Sequence, residues 1–276
     1  MNKKRFYYKA FLMKSLVGLS ALLTFLILLF IVGYIMAKGI PYLTPSLFSL
    51  KYTSTNVSLM PSLISTLAMT LLALFFSVPV GIATAIYLVE YAKRGNKLVE
   101  VIRITAETLS GIPSIVYGLF GMLFFVTFLG FDYSLLSGAL TLGIMILPLI
   151  MRTTEEALKS VPDSYREASF GLGAGKLRTI FKVVLPSAVP GILAGVILGV
   201  GRIVGETAAL IYTAGTVAQP PSGLFSSVRT LSVHMYVLSG EGLNVNQAYA
   251  TAVVLLLIVL LINAISGFFA KKLMSR

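Results

Sequence analysis

Six stretches of this sequence are long and apolar enough to cross a lipid bilayer, and that limits the chain to folds a membrane permits. They run over roughly 16–37, 62–91, 104–129, 134–152, 189–215 and 248–270. About twenty consecutive apolar residues span the hydrocarbon core as a helix. Inside lipid every backbone polar group needs an internal partner, which a helix supplies. The expected fold class is therefore all-α and integral to the membrane, with six transmembrane helices. Composition agrees: 57% of residues are hydrophobic and 12% charged, where globular domains are about a quarter charged. The chain has no cysteine, which excludes disulfides and cysteine metal sites. No metal constellation is visible.

The first apolar stretch follows Lys3, Lys4, Arg5, Lys9 and Lys14, as a secretory signal would. At 16–37 it exceeds the roughly 7–15 residues of a signal core, and no clean small-x-small site follows. It reads as a retained helix.

A net charge of +12 could suggest nucleic acid. The positions of the charges point elsewhere. Of 22 Lys and Arg, 18 fall before the first stretch, between the second and third, between the fourth and fifth, or after the sixth. Lys38, Lys51 and Arg229 fall on the other side, and Arg202 lies inside the fifth stretch. Membrane proteins keep Lys and Arg in cytoplasmic loops. The split implies both termini in the cytoplasm and no nucleic-acid partner. The extracytoplasmic segments are then about 38–61, 130–133 and 216–247. The last holds Gln219-Pro220-Pro221 and the only histidine, His234, expected to be solvated.

The cytoplasmic segment 153–188 is too polar to span and too patterned for a plain linker. Ser164 and Glu167 form a capping-box pattern, which predicts a short helix starting near Tyr165. Gly171, Gly173 and Gly175 should interrupt it. Lys176 to Val184 reads as a second short helix with Leu177, Ile180, Phe181 and Val184 on one side, ended by Leu185-Pro186. Gly171-Leu-Gly-Ala-Gly-Lys176 imitates part of a phosphate-binding loop. That motif needs a glycine where Phe170 stands and Ser or Thr where Leu177 stands, so the chain is not expected to bind nucleotide.

Glu167-Ala168-Ser169, then Gly173, then Val183-Val184-Leu185-Pro186 resembles the EAA loop of ABC importer permeases. The spacing matches throughout, with Ser for the third small residue and Val for the usual Ile. The resemblance implies a type I importer permease core of the methionine-permease kind. It also implies that Glu167, Ala168, Ser169, Gly173, Leu185 and Pro186 belong to a coupling loop that docks on a separate ATPase.

Helix 5 carries Arg202 and Glu206. A charge in mid-membrane costs at least ~2.5–3.5 kcal/mol, so it needs a partner or a function. Four residues apart, the two can pair on one helical face. Gly191, Gly195, Gly199, Arg202, Glu206, Ala209 and Thr213 all fall within an arc of about 80°, and small residues at this spacing allow close helix approach. In helix 3, Arg103, Glu107, Gly111, Ser114, Gly118 and Gly121 share a similar arc, provided Pro113 does not bend the helix too far. Arg152 ends helix 4. The pairs either fix helix packing or line an anion pathway in which Glu206 holds the arginine. A guanidinium matches oxyanion geometry.

Gly111-Ile-Pro-Ser-Ile-Val-Tyr-Gly118, Arg152-Thr-Thr-Glu-Glu-Ala157 and Gly201-Arg-Ile-Val-Gly-Glu-Thr-Ala-Ala-Leu210 resemble the phosphate importer permeases. The Gly-Glu-Thr-Ala run and the ending Asn246-Gln-Ala-Tyr-Ala-Thr-Ala-Val are nearer their A subunit than their C subunit. Ala209 stands where the family usually has proline. The likeness runs from about Pro61 to Lys271. It implies a permease unit over 61–271, with the coupling loop at 154–188, residues 1–60 before it and a tail at 272–276. It links Arg152 and Arg202 to phosphate movement. It also implies a bacterial or archaeal plasma membrane, a second permease of the C type, two ATPase subunits that hold ATP-Mg, and an extracytoplasmic phosphate-binding protein. No cofactor is expected on this chain. Four other readings stay open: a permease for molybdate or sulfate, the paired C subunit of the phosphate importer, a proton-coupled transporter using Glu107 and Glu206, and a non-transporting scaffold.

Overall fold

The structure is a computed structural model that describes residues 3–93 and 95–274. Side chains at 3–10, Ser266 and 269–274 lie outside the described set. Part of the charge count therefore falls outside it as well, at Lys3, Lys4, Arg5, Lys9, Arg94, Lys271, Lys272 and Arg276.

Every described element is helical. The order is α1 (Lys3–Gly39), α2 (Met60–Ile86), α3 (Lys97–Ser110), α4 (Ser114–Gly121), α5 (Leu135–Lys159), α6 (Asp163–Gly171), α7 (Lys176–Thr179), α8 (Leu185–Val204), α9 (Ala208–Ile211), α10 (Leu231–Glu241) and α11 (Val245–Met274). Single π-helical stretches extend α2 over Tyr87–Tyr91, extend α4 over Met122–Phe128, and join α7 to α8 over Ile180–Val184. Five helices are long and apolar enough to cross a membrane, and α3 with α4 makes a sixth if the bent pair is one span.

The bend between α3 and α4 is 103°. Pro113 supplies no N–H and favours an extended residue before it, and the chain turns there. The single 80° face expected from Arg103 to Gly121 therefore does not exist. Arg103 and Glu107 lie on one arm, Gly118 and Gly121 on the other.

The expected stop at Leu185-Pro186 is absent as well. The helix from Lys176 runs on to Val204. Pro186 sits in the first turn of α8, just after the π stretch. An extra residue per turn there reorganises the ladder where proline lacks its donor. The fifth span accordingly lies earlier than 189–215, and α5 extends two turns past Arg152 to Lys159.

The core lies between α2, α4, α5 and α9, around Met69, Tyr117, Leu142, Met145, Ile146 and Leu210. Glycines set its closeness. The backbone of Gly118 lies on Ala209, and Gly121 on Thr141 and Thr213. The small-residue seam on α8 packs against α5: Gly191 on Ala157, Gly195 on Thr153, Gly199 on Ile150. Hydroxyls in the spans bond back one turn, as Thr66 does to the Ser62 carbonyl and Thr141 to the Ser137 carbonyl. Lipid offers them no other partner. Helix α1 packs along α11, with Gly39 pressed to the Tyr249 main chain.

A second cluster anchors the loop that follows α5. Leu88, Val99, Ala106, Leu158, Val161, Ile180 and Val184 are buried together.

Candidate functional site: a coupling loop and two arginine stations

The loop begins with α6, which starts at Asp163, two residues earlier than expected. Pro162 precedes it, and no side chain caps it, so the Ser164–Glu167 capping box is not formed. Glycine ends α6 as expected: its last residue is Gly171, and Gly173 has φ of +81°, a left-handed value at which a Cβ is strained. A helix, not a strand, precedes the glycine run, which joins α6 to α7. It has none of the surroundings of a phosphate-binding loop.

Two contacts fix the loop to the bundle. Arg166 donates from Nη2 and Nε to the Glu90 carboxylate, at 2.8 and 3.1 Å. It also donates to the main-chain carbonyls of Leu158 and Val161, at 3.0 and 2.8 Å. Ser169 and Thr179 share a hydroxyl bond of 2.8 Å between α6 and α7. Sequence reasoning passed over Glu90 and Arg166, because 76 residues separate them. Large apolar side chains remain outside: Leu172 is 90% exposed, and Tyr165, Phe170, Leu177 and Phe181 are exposed as well. Glu167 and Ala168 share that outer surface, Ser169 and Leu185 are half-buried, and Gly173 and Pro186 are exposed. An exposed apolar patch on a polar loop marks a docking surface.

The charged residues of α3 and α5 meet across a cavity of about 220 Å³ lined by Arg103, Glu107, Arg152, Glu155, Glu156 and Lys159. Arg103 pairs with Glu155 at 2.7 Å, and Lys159 reaches the same carboxylate at 2.7 Å. Arg152 faces Glu107 at 3.7 Å. The structure thus brings together Arg103, Glu107 and Arg152, but it pairs Arg103 with Glu155 and not with Glu107. Glu155 and Lys159 were missed in the sequence. Three cations balance three carboxylates around this cavity.

Arg202 and Glu206 part company. Helix α8 stops at Val204 with Gly205 as its cap, so Arg202 occupies the last turn, where the helix dipole favours a cation. Glu206 lies beyond the helix. Its Oε1 accepts a hydrogen bond of 3.1 Å from the Ala209 N–H, opening α9, and its main-chain carbonyl accepts from the Ser232 hydroxyl. No Arg202–Glu206 ion pair forms among the described residues. The expected pair fails because the helix that would align the two residues ends between them. Arg202 lies within electrostatic reach of the Tyr117 hydroxyl. It is seven residues beyond Gly195, which packs on Thr153. That is two turns, about 10 Å of helix, so Arg152 and Arg202 stand at different depths.

His234 is not solvated. It is wholly buried in α10, edge-on to Tyr52 at 6.0 Å. Burial, and then the charge of Arg229, push its pKa down to about 3. Contact with the Val57 main chain pulls more weakly the other way.

This fold defines a class: a multi-pass, all-helical membrane subunit with a partly apolar loop exposed between two of its spans. Residues 77–276 match the family described as the binding-protein-dependent transport system inner membrane component. The chain belongs to that family. It is 33% identical over 241 residues, 82% of each chain, to the probable ABC transporter permease protein YqgI of Bacillus subtilis (strain 168). It is 35% identical to the phosphate transport system permease protein PstA of Xylella fastidiosa, covering 83% of this chain and 81% of that one. It is 42% identical to PstA 1 of Mycobacterium tuberculosis over 154 residues, which span half of that protein. The same fold occurs in the inward-facing MetNI methionine ABC transporter (TM-score 0.65, 23% identity, 78% of this chain, 95% of that one). A bacterial alginate ABC transporter also shares it (TM-score 0.67, 17% identity, 93% and 94%).

Proposed function

We propose that this chain is the A-type permease subunit of an ATP-driven phosphate importer. The likeness to PstA proteins, which runs over four-fifths of the chain in the Xylella case, carries the reading. Two half-exposed arginine stations at different depths support it. In this reading a C-type permease covers the open faces of α3, α4 and α5, two ATPases dock on the patch around Leu172, and a phosphate-binding protein delivers cargo outside. ATP-Mg belongs to the ATPases, both termini lie in the cytoplasm, and the loop receives force without hydrolysing nucleotide.

Movement of the loop is transmitted through the Arg166–Glu90 clamp to the end of α2, and through the continuous α7–α8 rod to Arg202. Release of Arg152 from Glu107 would free it for an oxyanion. The test is phosphate uptake by the reconstituted assembly. Arg152→Gln or Arg202→Gln should remove uptake while the assembly still forms. Normal uptake by both variants rejects the pathway role, and preferential uptake of sulfate or molybdate rejects phosphate as the cargo.

A further inference from the structure

Arg229 precedes α10 on the end of the molecule opposite the coupling loop. Its side chain is buried, with the residue 4% exposed, and its Nε and Nη2 make no hydrogen bond within the protein. None of the ion pairs among the described residues includes it. The Tyr52 ring lies 4.9 Å from its guanidinium carbon. A ring face attracts the cation but accepts nothing from N–H groups in the guanidinium plane. Arg229 also lines a cavity of about 710 Å³ bordered by Lys51, Tyr52, Thr216, Gln219 and Glu241. Lys51, like Arg229, is in no ion pair among the described residues.

A buried charge is kept only where something pairs with it. Waters would satisfy the donors but not the charge. Nε and Nη2 form the edge of the guanidinium that grips two oxygens of one anion. Both nitrogens are sealed from solvent, so a small ion that enters with a side-chain shift fits better than a rigid protein surface. Glu241 faces the same cavity, and an oxyanion that carries a proton can donate to it.

We propose that Arg229, with Lys51 and Tyr52, forms an oxyanion site on the extracytoplasmic face, separate from Arg152 and Arg202. Its ion is phosphate, which rests on the function proposed above. The site is the first station for an anion entering from outside.

The chain has no tryptophan, so Tyr52→Trp places a single reporter over Arg229. The full-length protein in lipid nanodiscs is titrated with inorganic phosphate at constant ionic strength, with chloride as the control. The expected result is a saturable change in tryptophan emission, kept in an added Arg202→Gln. An added Arg229→Gln should weaken it by at least about tenfold, and Lys51→Gln by about threefold, as charge-assisted bonds are lost. A response that chloride reproduces, or one unchanged by Arg229→Gln, overturns the site. If Arg229→Gln does not fold, unchanged affinity in Lys51→Gln overturns it. A response to the binding protein alone also overturns it and points to protein docking. Phosphate uptake without a response from the Tyr52→Trp reporter removes this site and leaves the importer reading standing. A response without uptake does the reverse.

Discussion

Arg166 on α6 and Glu90 at the end of α2 are bound by two donors to one carboxylate oxygen, at 2.8 and 3.1 Å, with both side chains mostly buried. The other polar contacts of α6 are to main-chain carbonyls and one hydroxyl. This pair is therefore a side-chain link between α6 and the end of α2, separate from the continuous α7–α8 helix.

Breaking the link should separate ATP use from transport. Removing one partner of a buried pair costs about 3–5 kcal/mol, so Arg166→Ala should loosen α6 without unfolding the spans. The expected result is ATP hydrolysis near the wild-type rate with uptake reduced at least about tenfold. Glu90→Gln should act in the same direction more mildly, since it keeps one acceptor. Equal ATP-to-phosphate ratios in wild type and Arg166→Ala would contradict the clamp.

The α5–α8 seam makes a stability prediction. A Cβ at Gly195 would collide with the Thr153 hydroxyl and lie 2.6 Å from its Cβ. Overpacking of this kind costs about 1–3 kcal/mol. Gly195→Val should lower the melting temperature in detergent, and Thr153→Ala should restore only part of it, because the Cβ clash remains. Gly171→Ala, with open space around it, is the matched control and should shift the melt little.

Glu107 makes a prediction about affinity. It holds Arg152 at 3.7 Å and competes with any anion for it. Glu107→Gln should leave the assembly intact and lower the phosphate concentration needed for half-maximal uptake. A higher concentration would mean that Glu107 helps bind the cargo.

His234 gives a pH dependence. Its folded pKa lies near 3, against 6.5 when free. Between these values the unfolded chain binds a proton that the folded chain does not, so stability falls as pH drops from about 6.5 toward 3. His234→Phe removes that contribution. The melting temperature of the variant should fall less than that of wild type between pH 7.5 and pH 4.5. Parallel curves would mean that His234 takes up its proton as readily in the folded chain as in the unfolded one.

The sequence shows the spans and the loop because both are local. Twenty apolar residues declare a helix, and the loop's spacing is fixed by one helix, one glycine turn and the start of another. It hides the break after Val204, because Gly191, Gly195, Gly199, Arg202, Glu206, Ala209 and Thr213 continue one helical face straight through it. It hides the 103° bend, because Pro113 is compatible with either a kink or a corner. Arg229 and His234 look like loop residues until α10 folds back on α2 and α11. The pairing of Arg103 with Glu155 depends on α3 lying across α5, which no pattern along a single helix contains.

The central claim is that this chain carries phosphate only as part of an ATP-driven assembly. Its most direct test is radiolabelled phosphate uptake into vesicles holding the chain with its second permease and ATPases, with binding protein outside and ATP inside. Accumulation should require ATP and the ATPase subunits and disappear in Arg202→Gln. Uptake by this chain alone, driven by a proton gradient without ATP, would contradict it.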